Sequence, residues 1–442
     1  LSSTAGLLAL LARPVAQADR VRAALHVLDW LGCAAAGAAT PPGRAMIAFG
    51  RTLPAGACRA FGGLALTGRD AALVNGSLGN VLEMDDLDRS ALLHPGPVVV
   101  PVALAAAAET GASGAAALDA IVRGYEAMIR VGRSVGAAHY RQFHNTATCG
   151  VFGAAAAAGS LLGLDPAHMA DAFGNAGTQA SGLWQCRLED CMSKQLHNGR
   201  AAQSGLLAAQ LARHGFTGAH AILEGPLGFF AGFCPDARPE CLLEDPDGPW
   251  LIHRTSLKPW PACRHAHPLI DAALAIRSRV DPARIARIAI EGYRDAIGIC
   301  DNPSPRTPVE AKFSLQHAVA VALARGAPTL ADFDAPAAAA PELAALRVRV
   351  ALRESAELSA RYPAHFGAAI RVEISDGTVI AHSVADALGD PENPLAADAV
   401  AAKARMLLAA GGFAPGAIDA AVGAAHALPG AAGVSELAQL LR

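Results

Sequence analysis

Over the first 250 or so residues, apolar positions recur at helical spacing and polar positions fall on the other side. In "GRAAQSGLLAAQLARHG", Leu206 and Ala209 are apolar and Gln210 and Arg213 polar; a repeat near 3.6 residues predicts an amphipathic helix. The stretches "RVRAALHVLDWLGCAAAGA" and "AAALDAIVRGYEAMIRVGRSV" read the same way, with Ala and Leu dominant and Gly or Pro at the breaks. Small residues of this kind suit helices packed closely together. The opening "LLALLARP" is apolar without a basic segment ahead of it, and reads as a first amphipathic helix rather than a signal peptide. Because Leu1 is not an initiator Met, a few residues are expected to precede it.

Near Leu257 the texture changes. "ARIARIAIEGY" is β-branched and predicts a strand, and "AAIRVEISDGTVIAHSV" alternates Ile370, Val372 and Ile374 with Arg371 and Glu373. Asp376-Gly377 then offers a two-residue hairpin turn. "VEAKFSLQHAVAVALARG" predicts a helix between the two strand regions, and helical texture returns from about residue 395. The expected fold is mainly α. A multihelical domain covers 1–255, a smaller α+β domain is inserted over 256–390, and C-terminal helices over 391–442 return to the helical domain.

Composition narrows the function classes. Hydrophobic residues make up 52% of the 442 and charged ones 17%, which favours a well-buried globular protein. The net charge of −3 gives no basic footprint for nucleic acid. No apolar run reaches the roughly 18–20 residues of a membrane helix, so no membrane partner is expected. The nine cysteines are scattered and lack a C-x-x-C pair, which fits free thiols in a reducing cytoplasm and argues against a zinc ribbon or iron–sulfur cluster. Phosphate-loop, dinucleotide, H-E-x-x-H and G-x-S-x-G patterns are also missing.

Against this sparse charge, "LEMDDLDRSALLHPGPVVV" crowds Glu83, Asp85, Asp86 and Asp88 ahead of His94. If the acids end a helix they oppose its dipole. Glu83 and Asp86 would then share a face and Asp85 would not. The bland reading is a solvated helix end. Three cationic or titratable groups precede expected helix starts: His94 before Pro97, His144 before the candidate caps Asn145 and Thr146, and Lys194 before the candidate cap Asn198. Free N–H groups at a helix start favour anions, so three such elements in one cleft would bind a polycarboxylate. Taken singly, each is more commonly a structural histidine or a solvated lysine. "LKPWPACRHAHPLIDA" adds Lys258, Cys263, His265 and His267, an incomplete metal pattern, so no metal is expected.

These motifs together resemble the MmgE/PrpD family over nearly the whole chain. The resemblance runs from "LDWLGCAAAG" through "VNGSLGNVLEMDDLDRSALLHPGPVVVPVALAAAAETGASG", "GYEAMIRVGRS" and "FHNTATCGVFGAAAAAGSLLGLD" to "SKQLHNGRAAQSGLLAAQLARHGFTG", "LKPWPACRHAHPLIDA" and "VEAKFSLQHAVAVAL". It implies a helical domain closed by an α+β lid, a homodimer, an active site between the domains, and no metal or organic cofactor. On motif match, the family's acidic segment falls on Glu83-Met84-Asp85-Asp86 and its H-P-G histidine on His94. The second histidine falls on His144, and the two lysines on Lys194 and Lys258. The chain departs from the family at Glu83, where Asp is usual. It departs again at Ile299-Cys300, near a tyrosine that the decarboxylases carry.

The chemistry implied is proton transfer beside a carboxylate. His94 and His144, with Glu83 and Asp86, would move or steady protons, and Lys194 and Lys258 would bind substrate carboxylates. The leading expectation is a cofactor-independent hydro-lyase of the 2-methylcitrate dehydratase type. Epimerisation of a dicarboxylate such as iminodisuccinate follows, then decarboxylation of a cis-aconitate-type acid, then a non-catalytic carboxylate-binding paralogue.

Overall fold

The structure is a computed structural model that describes residues 2–189 and 191–441. The chain is mainly α and divides into two compact units, one of Leu1–Leu257 with Ala396–Arg442, the other Lys258–Leu395.

In the first unit the long helices include Gln17–Ala38, Gly96–Thr110, Gly114–Ser134, Gly150–Leu161, Ser193–Arg213 and Ala397–Ala410. Local chemistry starts several of the unit's helices. Ser113 accepts from the Ala116 N–H, and Asp165 accepts from the His168 N–H with Pro166 at the first helical position. Val98, Val99, Val100 and Val102 are all buried in the helix Gly96–Thr110, which is apolar all round and therefore central. Small residues set the spacing. A Cβ on Gly76 would stand 2.9 Å from the Gly199 Cα, and one on Gly32 would stand 3.1 Å from the Ala404 Cα. Strands β1, Ala55–Ala60, and β2, Leu64–Leu66, form a small antiparallel ribbon. Among the described residues no single helix is long and apolar enough to cross a membrane.

The second unit carries β3, Ile285–Gly292, β4, Val350–Glu354, β5, Ala368–Ile374, and β6, Val379–Val384, in the sheet order β4-β3-β5-β6. β3 runs parallel to β4 and antiparallel to β5. Ile370, Val372 and Ile374 point inward while Arg371 and Glu373 point out, as a period of two requires. Ile288, Ile290, Ile370 and Val372 share a core with Leu269 and Ile270 of the helix His267–Arg277 and with Leu315 and Val319 of the helix Leu315–Ala324.

Two local expectations are corrected. The helix expected over "VEAKFSLQHAVAVALARG" is two, Pro308–Lys312 and Leu315–Ala324, because Ser314 turns its hydroxyl onto the His317 N–H, 3.0 Å away, and caps the second. The β5–β6 hairpin turns through Ser375, Asp376 and Gly377 rather than through two residues. The Gly377 N–H bonds the Ile374 carbonyl at 2.9 Å and the Ile374 N–H bonds the Thr378 carbonyl at 2.9 Å. Gly377, at φ 85°, supplies the left-handed residue that a three-residue connection needs.

Candidate functional site

The acid-rich segment is not a helix end. The preceding helix Gly68–Leu78 stops before it, and the next begins at Gly96. Between them the chain is irregular and tied at three places. The Glu83 N–H bonds the Asn80 carbonyl, Leu87 pairs with Ser256, and Asp88 pairs with Leu93. Asp88 shapes the last turn by accepting from the Ser90 hydroxyl at 2.6 Å and the Ala91 N–H at 2.9 Å. The helix-face argument about Glu83 and Asp86 therefore fails for want of a helix. Glu83 sits at φ 59°, a left-handed conformation that costs a non-glycine residue of order 1 kcal/mol.

Each acid has its own partner. Asp86 is buried, and its Oδ2 lies 2.7 Å from His26 Nδ1 and accepts from the Tyr125 hydroxyl at 2.6 Å, while its Oδ1 accepts from the Gly96 N–H at 2.9 Å. Burial alone would raise its pKa. The bond and charge of His26, then Tyr125 and Gly96, outweigh that and hold it below the ordinary carboxylate range. The carboxylate at His94 is Asp85, whose Oδ2 is 2.9 Å from His94 Nδ1. The Asp86 main-chain oxygen is 2.7 Å from the same nitrogen. Asn80 donates to both Asp85 oxygens at 2.7 Å and so fixes their orientation. With two acceptors at Nδ1, that nitrogen carries the proton and Nε2 is left as the nitrogen free to act.

Glu83 makes an ion pair with Lys194, and both side chains keep partial exposure, 16% and 22%. Lys194 lies in the first turn of the helix Ser193–Arg213, not ahead of a helix capped by Asn198; Asn198 is buried one turn inside it. Burial would lower the lysine's pKa, but Glu83 and then Asp85 raise it above its ordinary value. His144 is the N-cap residue of the short helix Asn145–Thr148 and is buried. Its ring lies 4.3 Å from the Trp184 ring, and its Nδ1 is 3.3 Å from His197 Nδ1. Burial, then Lys194, His197, His94 and Arg187, push its pKa well below the ordinary histidine value, so it is neutral at pH 7. The His94 N–H donates to Thr146 Oγ1 at 3.0 Å, which ties the two histidine segments together. His94, His144, Lys194 and Glu83 thus converge within the first unit, with Asp85 at His94. The Asp86 carboxylate turns away from them into the core.

Lys258 belongs to the second unit. It is buried, and after burial itself it is the main influence lowering the His265 pKa to about 4. The neighbouring candidate ligands go to separate partners: His265 Nδ1 to the Tyr293 hydroxyl at 2.5 Å, His267 Nε2 to the Ala262 carbonyl at 3.1 Å. Among the described residues, one His/Asp/Glu group has ligand atoms within 4.8 Å of one another, His365 with Asp386 and the exposed Glu392, also in the second unit.

Sequence reasoning passed over His26, Tyr125, Asn80, His197, Trp184 and Lys403. His197 alone carried a local signal, three residues after Lys194 in the same helical turn. Asn80 is five residues before Asp85, but no local pattern marked it; His26, Tyr125, Trp184 and Lys403 come from other segments, and only folding reveals them.

A family model for the MmgE/PrpD N-terminal domain matches residues 10–242, and one for the MmgE/PrpD C-terminal domain matches residues 260–420. The chain is 28% identical to a cis-aconitate decarboxylase of Aspergillus terreus over 417 residues, 87% of this chain and 84% of that one. It is 30% identical to a cis-aconitate decarboxylase-like protein of Aspergillus oryzae over 423 residues, 88% and 86% of the two chains. A 2-methylcitrate dehydratase of Cupriavidus necator is 29% identical over 198 residues, 42% and 41% of the two. Two domain models in order, and a relative 30% identical over more than four fifths of both chains, make this chain a member of the MmgE/PrpD family.

Proposed function

We propose that this chain is a lyase for a small di- or tricarboxylic acid, with His94 as the proton-transfer residue and no cofactor. One observation carries the reading. His94 is held at Nδ1 by Asp85 and the Asp86 carbonyl, beside groups that favour an anion. Lys194, His197, His94 and Arg187 are all close enough to depress His144. A substrate carboxylate placed among them would meet cationic charge and hydrogen-bond donors, which also suit negative charge developing on the adjacent carbon. His94 Nε2 would remove or return the carbon-bound proton, and Asp85 would steady the imidazolium formed.

Dehydration of a 2-methylcitrate-type acid is the first reading, supported by the chain's lack of a tyrosine at Ile299-Cys300. Elimination needs both a base and an acid for the leaving hydroxide. His94 and the Lys194 ammonium would divide those roles. Decarboxylation of a cis-aconitate-type acid is the second reading, favoured by relatives of that name that span more than four fifths of the chain. The test is a panel of 2-methylcitrate, citrate, cis-aconitate and iminodisuccinate followed by proton NMR in deuterated water. Loss of water from the first supports dehydration. Carbon dioxide release from cis-aconitate selects the second reading, and proton exchange without net loss selects an epimerase. Binding without turnover or exchange refutes the lyase.

A further inference from the structure

We infer that Lys403, on the helix Ala397–Ala410, is a positioning residue that holds the acid-rich segment in register; its effect on turnover rests on the lyase reading above. The Lys403 ammonium is buried and donates to two groups. One is Asp29 Oδ1 at 2.5 Å, the other the Met84 main-chain carbonyl at 2.5 Å. Met84 is the residue between Glu83, which pairs with Lys194, and Asp85, which faces His94. A single buried cation therefore fixes the peptide that sets the direction of both acids.

The grip is two-handed. His26 and Asp29 lie three apart on the helix Gln17–Ala38 and so share one face. His26 binds the Asp86 carboxylate directly, and Asp29 reaches Met84 through Lys403. Lys403 can reach because the two helices run close together, with Gly32 against Ala404. Burial works against its charge, but Asp29 keeps its pKa above the ordinary lysine value, so it enters the contact as a cation. The segment between the two handholds has no helix or sheet of its own to define it. The chain supplies this anchor only after the whole second unit has been passed.

The test compares Lys403→Met with Asp29→Asn. Each removes one charge of the buried pair. In Asp29→Asn the new amide still offers an oxygen to Lys403, which keeps its bond to Met84; in Lys403→Met that carbonyl is left unheld. Both variants should melt at lower temperature. Only Lys403→Met should lose kcat, by tenfold or more at saturating substrate, on whichever acid the wild type turns over. Amide hydrogen exchange over 81–88 should rise in Lys403→Met and stay near wild type in Asp29→Asn. If Lys403→Met alone does not fold, the charge-balanced Asp29→Asn/Lys403→Met pair serves, with the same loss expected. Unchanged exchange and kcat in a folded Lys403→Met protein overturns the inference, as does a parallel loss in Asp29→Asn. A wild type inactive on every acid refutes the lyase reading instead, and the exchange measurement then decides the anchor by itself.

Discussion

Asp85 Oδ2 stands 2.9 Å from His94 Nδ1, and the Asp86 main-chain oxygen stands 2.7 Å from the same atom. The two acceptors have separable roles. The carbonyl is enough to keep the proton on Nδ1, whereas only the carboxylate can balance an imidazolium. Asp85→Asn should therefore keep the tautomer but lose the counter-charge, lowering kcat by roughly 10²-fold, the lower end of what general acid–base groups contribute. His94→Gln should cost about 10²–10⁴-fold. Steady-state kinetics with circular dichroism on the same samples checks both. Equal activity in Asp85→Asn and wild type would remove Asp85 from the mechanism.

Asp86 behaves differently. Its carboxylate is spent on His26, Tyr125 and Gly96, so its removal is first a matter of stability. Tyr125→Phe deletes one hydrogen bond to a buried charge and should cost roughly 1.5–3 kcal/mol. Urea denaturation measures it. A cost below about 0.5 kcal/mol would mean that the hydroxyl does not stabilise the ionised carboxylate.

The helices and the β5–β6 alternation were legible because each is a local period of about 3.6 or 2 residues. Motif picked out His94, His144 and Lys194 as candidates, and the fold brings them near one another. The division of labour among the acids was not legible. Reading Glu83 to Asp86 as helical rested on neighbouring texture, and nothing within ten residues announces that His26 and Tyr125 will claim Asp86. Lys403 was silent because its partners Asp29 and Met84 are hundreds of residues away in sequence. Side-chain direction in an irregular segment is set by tertiary contacts, and those contacts have no periodic signature.

His26 gives a pH prediction with a definite sign. Burial, then the positive charge of Arg22, lower its pKa from 6.5 to about 4 against the pull of Asp86. The unfolded chain therefore binds more protons than the folded one between about pH 6.5 and 4, and stability contributed by neutral His26 is lost as pH falls through that window. At pH 5 the loss is about 2 kcal/mol relative to pH 7.5. His26→Gln cannot titrate. It should be less stable at both pH values, yet its drop between pH 7.5 and pH 5 should be smaller than the wild-type drop by about that amount. Equal drops in urea titrations at the two pH values would show that His26 titrates normally in the folded state.

Glu83 allows function to be separated from folding. At φ 59° its backbone is in a region glycine occupies freely and glutamate does not. Its carboxylate is also the ion-pair partner of Lys194. Glu83→Gly relieves the backbone and removes the partner together. Relief at a left-handed position offsets the entropy glycine loses on folding and part of the loss of a largely buried ion pair, so stability should stay within about 2 kcal/mol of wild type. Activity should not follow. If Glu83 keeps Lys194 in place, or takes its proton as substrate enters, kcat/KM should fall about tenfold to a hundredfold, the equivalent of one charge-assisted contact of roughly 1.5–3 kcal/mol. Glu83→Asp, one methylene shorter, keeps the charge and draws it back from Lys194; it should recover part of the loss. A Glu83→Gly protein that is both stable and fully active would make the left-handed glutamate a loop residue with no part in the chemistry.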